Sequence, residues 1–166
     1  MKYLFCALVF AMFFGIGFLI YNRYKSRKIF FENLLHFCDR VLIELGFQNN
    51  TISKIIDIYC ASYGRHFAST LNLYQNLLNT HADITHDRIA ALIPPNLVRA
   101  HEIALVVDFF FELGRHGIDG EKRKTTSARA TFHEIFTDCA KRLKTDATVF
   151  FKLFVFMGAA AVILCV

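Results

Sequence analysis

The sequence predicts an all-α protein: a cytoplasmic bundle of about six helices, continuous with N- and C-terminal transmembrane helices. Three observations carry that reading. Tyr3–Tyr21 runs nineteen residues without a charge, close to the ~20 needed to cross a hydrocarbon core ~30 Å thick. A second apolar stretch fills residues 147–166. Between the two, apolar residues recur three and four apart and no alternating strand pattern occurs. The expected divisions are a transmembrane helix over 1–22, a helical-bundle domain over 23–146 and a second transmembrane helix over 147–166.

The first span is followed by interfacial Tyr21 and Tyr24 and by Arg23, Lys25, Arg27 and Lys28. Aromatic rings suit the headgroup level, and clustered cations mark the cytoplasmic side. No small-x-small cleavage site follows, as a signal peptide would require. The second span is shorter, since Leu153–Val166 supplies fourteen residues and a full crossing takes in Lys152, which can snorkel to the interface. Lys141, Arg142, Lys144 and Lys152 precede it, so both membrane-proximal ends of the middle segment are basic. Tyr21, Arg23, Tyr24, Lys25 and Lys152 are therefore the expected interface anchors. Residues 29–140 hold ten Lys/Arg against thirteen Asp/Glu, so the net +5 of the chain is a topology signal and not a nucleic-acid patch. In the first span Ala7, Ala11 and Gly15 form a small-residue ridge suited to packing on the second span or to self-association.

Residues 23–45 extend the first helix, with Phe30, Leu34, Leu35, Cys38, Val41, Leu42 and Leu45 on one face and Gly46 as its stop. Thr51 or Ser53 caps a second helix through Tyr59 and Cys60, with a break near Gly64. A third runs from about Phe67 to Leu78, closed by Asn79 and Thr80. Thr85 caps a short fourth that ends at Leu92-Ile93, because Pro94-Pro95 forbids continuation. Asn96 is expected to cap a fifth over Leu97–Leu113, with Gly114 just past its end. Asp119 then caps the last helix, which no Gly or Pro interrupts over Glu121–Met157. That gives forty-odd residues, about 70 Å at ~1.5 Å per residue.

Catalytic and metal motifs are incomplete. The segment Gly114–Gly120 is glycine-rich and opens a helix, but it lacks the Walker A lysine and follows a helix, so it reads as a tight turn. His133-Glu134 starts an H-E-x-x-H motif, whose fifth position is Thr137. His81 and His86 sit five apart around a loop. Five cysteines without a C-x-x-C pair suit buried thiols in a reducing compartment. No cofactor or metal is expected, and the chain is not expected to be an enzyme. Asp108 and Glu112 lie one turn apart in an apolar helix and are candidates for a cation site or an inter-subunit contact; the plainer alternative sets one in solvent and the other against a basic helix. Arg115, Lys122, Arg123 and Lys124 make a basic tip that could receive an acidic cytoplasmic partner.

Two longer patterns carry a family likeness. Phe30–Phe47 reads Phe-x-x-x-Leu-x-x-Phe-x-x-x-x-x-x-Glu-Leu-Gly-Phe, and residues 110–124 read Phe-Phe-Glu-Leu-Gly-Arg-His-Gly-Ile-Asp-Gly-Glu-Lys-Arg-Lys. With Gly17-Phe18, the Arg-rich exit and Gly158 in a short last span, the chain resembles the stage III sporulation protein AB family of endospore-forming bacteria. It departs from the family's usual pattern at Gly117 and Glu121 and has no Trp. The resemblance implies a platform in the channel complex between mother cell and forespore, similar to the cytoplasmic domains of type II secretion and type IV pilus inner-membrane proteins. It implies a cytoplasmic P-loop ATPase and sporulation-channel membrane proteins as partners, and a mother-cell membrane location facing the forespore. A homo-oligomer is also open to such a protein, and nucleic acid is not a partner. A second reading is a small membrane-anchored signalling or sensor adaptor; a third is a membrane enzyme using Asp108 and Glu112.

Overall fold

A computed structural model describes residues 2–47, 51–80 and 84–165. Among the described residues seven α-helices follow in order: α1 Lys2–Phe47, α2 Ile52–Tyr59, α3 Arg65–Asn79, α4 His86–Leu92, α5 Ala100–Glu112, α6 Ile118–Arg142 and α7 Thr148–Cys165. A 3-10 turn, Cys60–Ser62, follows α2, and a π turn, Leu143–Ala147, joins α6 to α7. No strand occurs among the described residues, as the periodicity predicts. The chain forms two compact units, one from residues up to Lys28 with those from Thr137 onward, the other from Ile29–Phe136.

The first unit is an apolar helical hairpin. Gly17 is buried, and a Cβ there would lie 3.1 Å from the Phe154 Cβ and 3.4 Å from the Phe151 ring. Gly158 does the same from the other side, at 3.2 Å from Phe10 and from Phe13. Two glycines thus let the backbones approach as small residues do between membrane helices. Phe151 packs edge-on to Phe14 at 5.6 Å and near Tyr21 at 6.1 Å. The ridge of Ala7, Ala11 and Gly15 does not make this interface: Ala7 and Ala11 are exposed and nothing lies within 4 Å of Gly15. Burial in the hairpin follows Gly17, two residues on, because Phe151 and Phe154 need the space a missing side chain leaves. Outward-facing apolar side chains such as Leu19, Phe156 and Ile163 are more than two-thirds exposed. Two helical stretches, Ala7–Gly46 and Ile118–Ile163, contain segments long and apolar enough to cross a membrane.

The last helix is not the uninterrupted α-helix expected, since its turn over Leu143–Ala147 is π. Threonine hydroxyls account for the widened turn: Thr145 donates to the Lys141 carbonyl and Thr148 to that of Leu143, five residues back. Arg142 holds Asp138 at 2.7 Å and reaches Asp146 at 3.9 Å across the same stretch.

The second unit is a helical bundle whose core is aromatic. Phe37 is the hub, with ring centroids of Phe67, Phe109 and Phe110 at 6.0, 6.4 and 6.2 Å. Phe30, Leu34, Cys38 and Val41 are buried as the spacing requires, joined by Phe31 and Phe37, which widen the face beyond a single stripe. Tyr74 is buried, and its hydroxyl donates 2.8 Å to the Phe110 carbonyl. Asp39 on α1 pairs with Arg129 on α6 across the bundle.

Three boundaries differ from expectation. Gly46 lies inside α1, which continues to Phe47. Asn96 does not cap α5; Leu97 N–H closes a turn on Pro94, and Arg99 takes the N-cap position in extended conformation. The reason is Glu102, whose carboxylate accepts from the Arg99 N–H at 3.0 Å, the returning half of a capping box. Asp119 is inside α6, because Glu121 N–H already donates to the Gly117 carbonyl. Thr51, Thr80, Thr85 and Gly114 stand where the sequence places them, Gly114 at φ 83° closing α5.

Candidate functional site

The turn after α5 sets α6 beside α5, with the Phe109 and Phe132 rings edge-on at 5.5 Å. Glu112 and Lys124 meet at 2.5 Å. The ammonium hydrogen bond holds the Glu112 carboxyl below its ordinary value. Asp108 is largely exposed and its carboxylate lies 3.4 Å from His86 Nε2. The two carboxylates therefore take different partners, and both residues line the same groove. His81 lies outside the described residues, while the His86 ring rests 3.9 Å from that of Phe111.

The basic tip is not four equivalent charges. The Arg115 guanidinium lies over the Phe111 ring at 3.9 Å, and Lys124 is engaged by Glu112. Arg123 is exposed and Lys122 half-buried. In the hairpin unit Tyr21 packs near Phe151 and Tyr24 is half-buried, while Arg23, Lys25 and Lys152 are exposed.

A groove of about 230 Å³ runs between α5 and α6. Leu105, Phe109 and Phe132 supply apolar wall, and Asp108, Glu112 and Glu121 supply carboxylates. Glu121 is only 3% exposed and its Oε2 has no hydrogen-bond partner; Thr125, one turn on and 1% exposed, has an unpartnered Oγ1. Glu121 also borders a second cavity of about 370 Å³ beside Leu113 and Gly114. No motif in the sequence singles out Glu121 as a site residue. The overlooked signal is the stripe Glu121, Thr125, Ala128, Phe132, spaced for one helix face, which puts an acid where an apolar residue is expected. Among the described residues no group of three His, Cys, Asp or Glu side chains is placed to hold a metal ion. Cys38, Cys60 and Cys139 are buried.

A helical bundle and a hairpin of two helices long and apolar enough to cross a membrane define a small all-α protein. The family model for stage III sporulation protein AB matches residues 2–166, and the chain belongs to that family. No curated protein and no solved structure matches it.

Proposed function

We propose that this protein is a non-enzymatic platform of the sporulation channel complex, linking a cytoplasmic ATPase to membrane-embedded parts. Membership of the stage III sporulation protein AB family over 2–166 is the observation that carries the reading. Two helices of membrane-crossing length support it, as do the basic residues that follow the first span and precede the second. On this reading both helices cross the mother-cell membrane that faces the forespore, and the bundle lies in the cytoplasm. Tyr21, Arg23, Tyr24, Lys25 and Lys152 sit at the interface. Lys122 and Arg123 receive an acidic surface of the ATPase, steering its approach.

In-cell crosslinking of the tagged full-length protein during sporulation, with mass spectrometry of captured proteins, tests this. The expected capture is a P-loop ATPase together with channel membrane subunits, and reversing charge at Lys122 and Arg123 reduces the ATPase yield. Capture of signalling proteins alone overturns the platform; undiminished ATPase after charge reversal removes the basic tip from it.

A further inference from the structure

We infer that the groove between α5 and α6 receives a cationic side chain, arginine or lysine, presented by a helix of a partner protein. The inference goes beyond the platform reading and stands independently of it. It starts from two polar atoms that the fold buries without satisfying, Glu121 Oε2 and Thr125 Oγ1, one turn apart on α6; their residues both line this groove, and Glu121 borders the second cavity as well. A buried, unpartnered carboxylate oxygen costs stability and calls for a reason. A donor arriving from outside supplies one.

The groove's charge specifies that donor. It holds three carboxylates and one ammonium; Lys124 and Glu112 engage each other and Asp108 lies 3.4 Å from His86, which leaves the Glu121 carboxylate to be met. A second cation is therefore favoured and an anion opposed. Its walls at Leu105, Phe109 and Phe132 suit an aliphatic stem. A guanidinium presents several donors in a rigid fork, enough to satisfy both orphaned acceptors at once.

Size and shape narrow the source. At about 230 Å³ the groove is below the ~300–1,000 Å³ typical of small-ligand pockets. Its lining positions on α5, at 105, 108, 109 and 112, follow helical spacing, so the furrow lies along the helix pair. A partner helix laid in that furrow would place one long cationic side chain over Glu121.

The test uses the full-length protein. In detergent micelles, Glu121→Gln and Thr125→Val should leave the thermal midpoint unchanged or raise it, because each removes an unsatisfied group. A marked fall with both variants would show that the pair serves the fold and would overturn the assignment. In the host cell, a benzoylphenylalanine photocrosslinker at Leu105 should capture one helical segment carrying an Arg or Lys beside the crosslinked residue. Glu121→Gln, Thr125→Val, or neutralising that Arg or Lys should each reduce the yield, for Glu121→Gln by at least about tenfold. Yield insensitive to these changes, a crosslink to an acidic or uncharged segment, a crosslink to a second copy of this chain, or no crosslink would each overturn it.

Discussion

Burial decides the acid–base behaviour of three groups in the helical bundle. Desolvation pushes the Cys38 thiol up to about 12, with the Asp39 carboxylate adding to the effect and Arg129 opposing it. The Tyr63 hydroxyl rises to about 12 and that of Tyr74 further, in both cases chiefly through burial. In the unfolded chain such groups lose protons near ~8.5 for Cys and ~10 for Tyr, so above those values the unfolded state binds fewer protons. The stability they contribute is full below about pH 8.5 and is lost progressively as pH rises toward 12. The thermal midpoint should therefore fall across that interval. A probe of the same burial at neutral pH is alkylation: Cys38 should resist iodoacetamide at pH 8 in the folded protein and react once denaturant is added. A midpoint that rises with pH from 9 to 11, or rapid labelling of Cys38 in the native state, would contradict this account of the core.

At the scale of elements, glycines and caps show what sequence patterns convey and where they stop. Gly114 was legible because a glycine just beyond an apolar run has few other uses, and its φ of 83° is the left-handed conformation that favours Gly. The fifth helix was misplaced by three residues because Asn96 looks like a cap, whereas the Glu102 carboxylate closes on the Arg99 backbone. A residue that is itself no cap former gives no local signal. The small-residue ridge, suited to the second span or to self-association, does not take the first of those uses. Ala7, Ala11 and Gly15 repeat more regularly than Gly17, but periodicity does not say which face meets Phe151 and Phe154. The contrast predicts a mutational pattern: Gly17→Leu and Gly158→Leu should each lower the thermal midpoint in micelles by several degrees, a loss of about 1–3 kcal/mol from overpacking. Gly15→Leu should have little effect, since nothing lies within 4 Å of that position. Equal effects at Gly15 and Gly17 would place the helix contact elsewhere.

For the whole molecule, the all-α class and the two apolar helices were readable because unbroken hydrophobicity and helical spacing are long-range patterns that no single side chain can obscure. The candidate groove was not. Glu121 acquires its meaning only in the folded bundle, where its Oε2 is buried without a hydrogen-bond partner and the residue lines the groove between α5 and α6. The proposed function makes a demand on chain continuity, because α1 runs from Lys2 to Phe47 as one helix with no Gly/Ser linker between the residues of the hairpin and those of the bundle. A scaffold that passes force or position between cytoplasmic and membrane parts depends on that continuity, whereas an adaptor that only recruits a ligand does not. The decisive measurement is the yield of heat-resistant spores from cells whose only copy carries a flexible Gly-Ser insertion between Lys28 and Ile29, with membrane recovery and helix content checked to be normal. The platform account predicts a severe loss of spores. A normal yield from a correctly inserted, folded protein would contradict it.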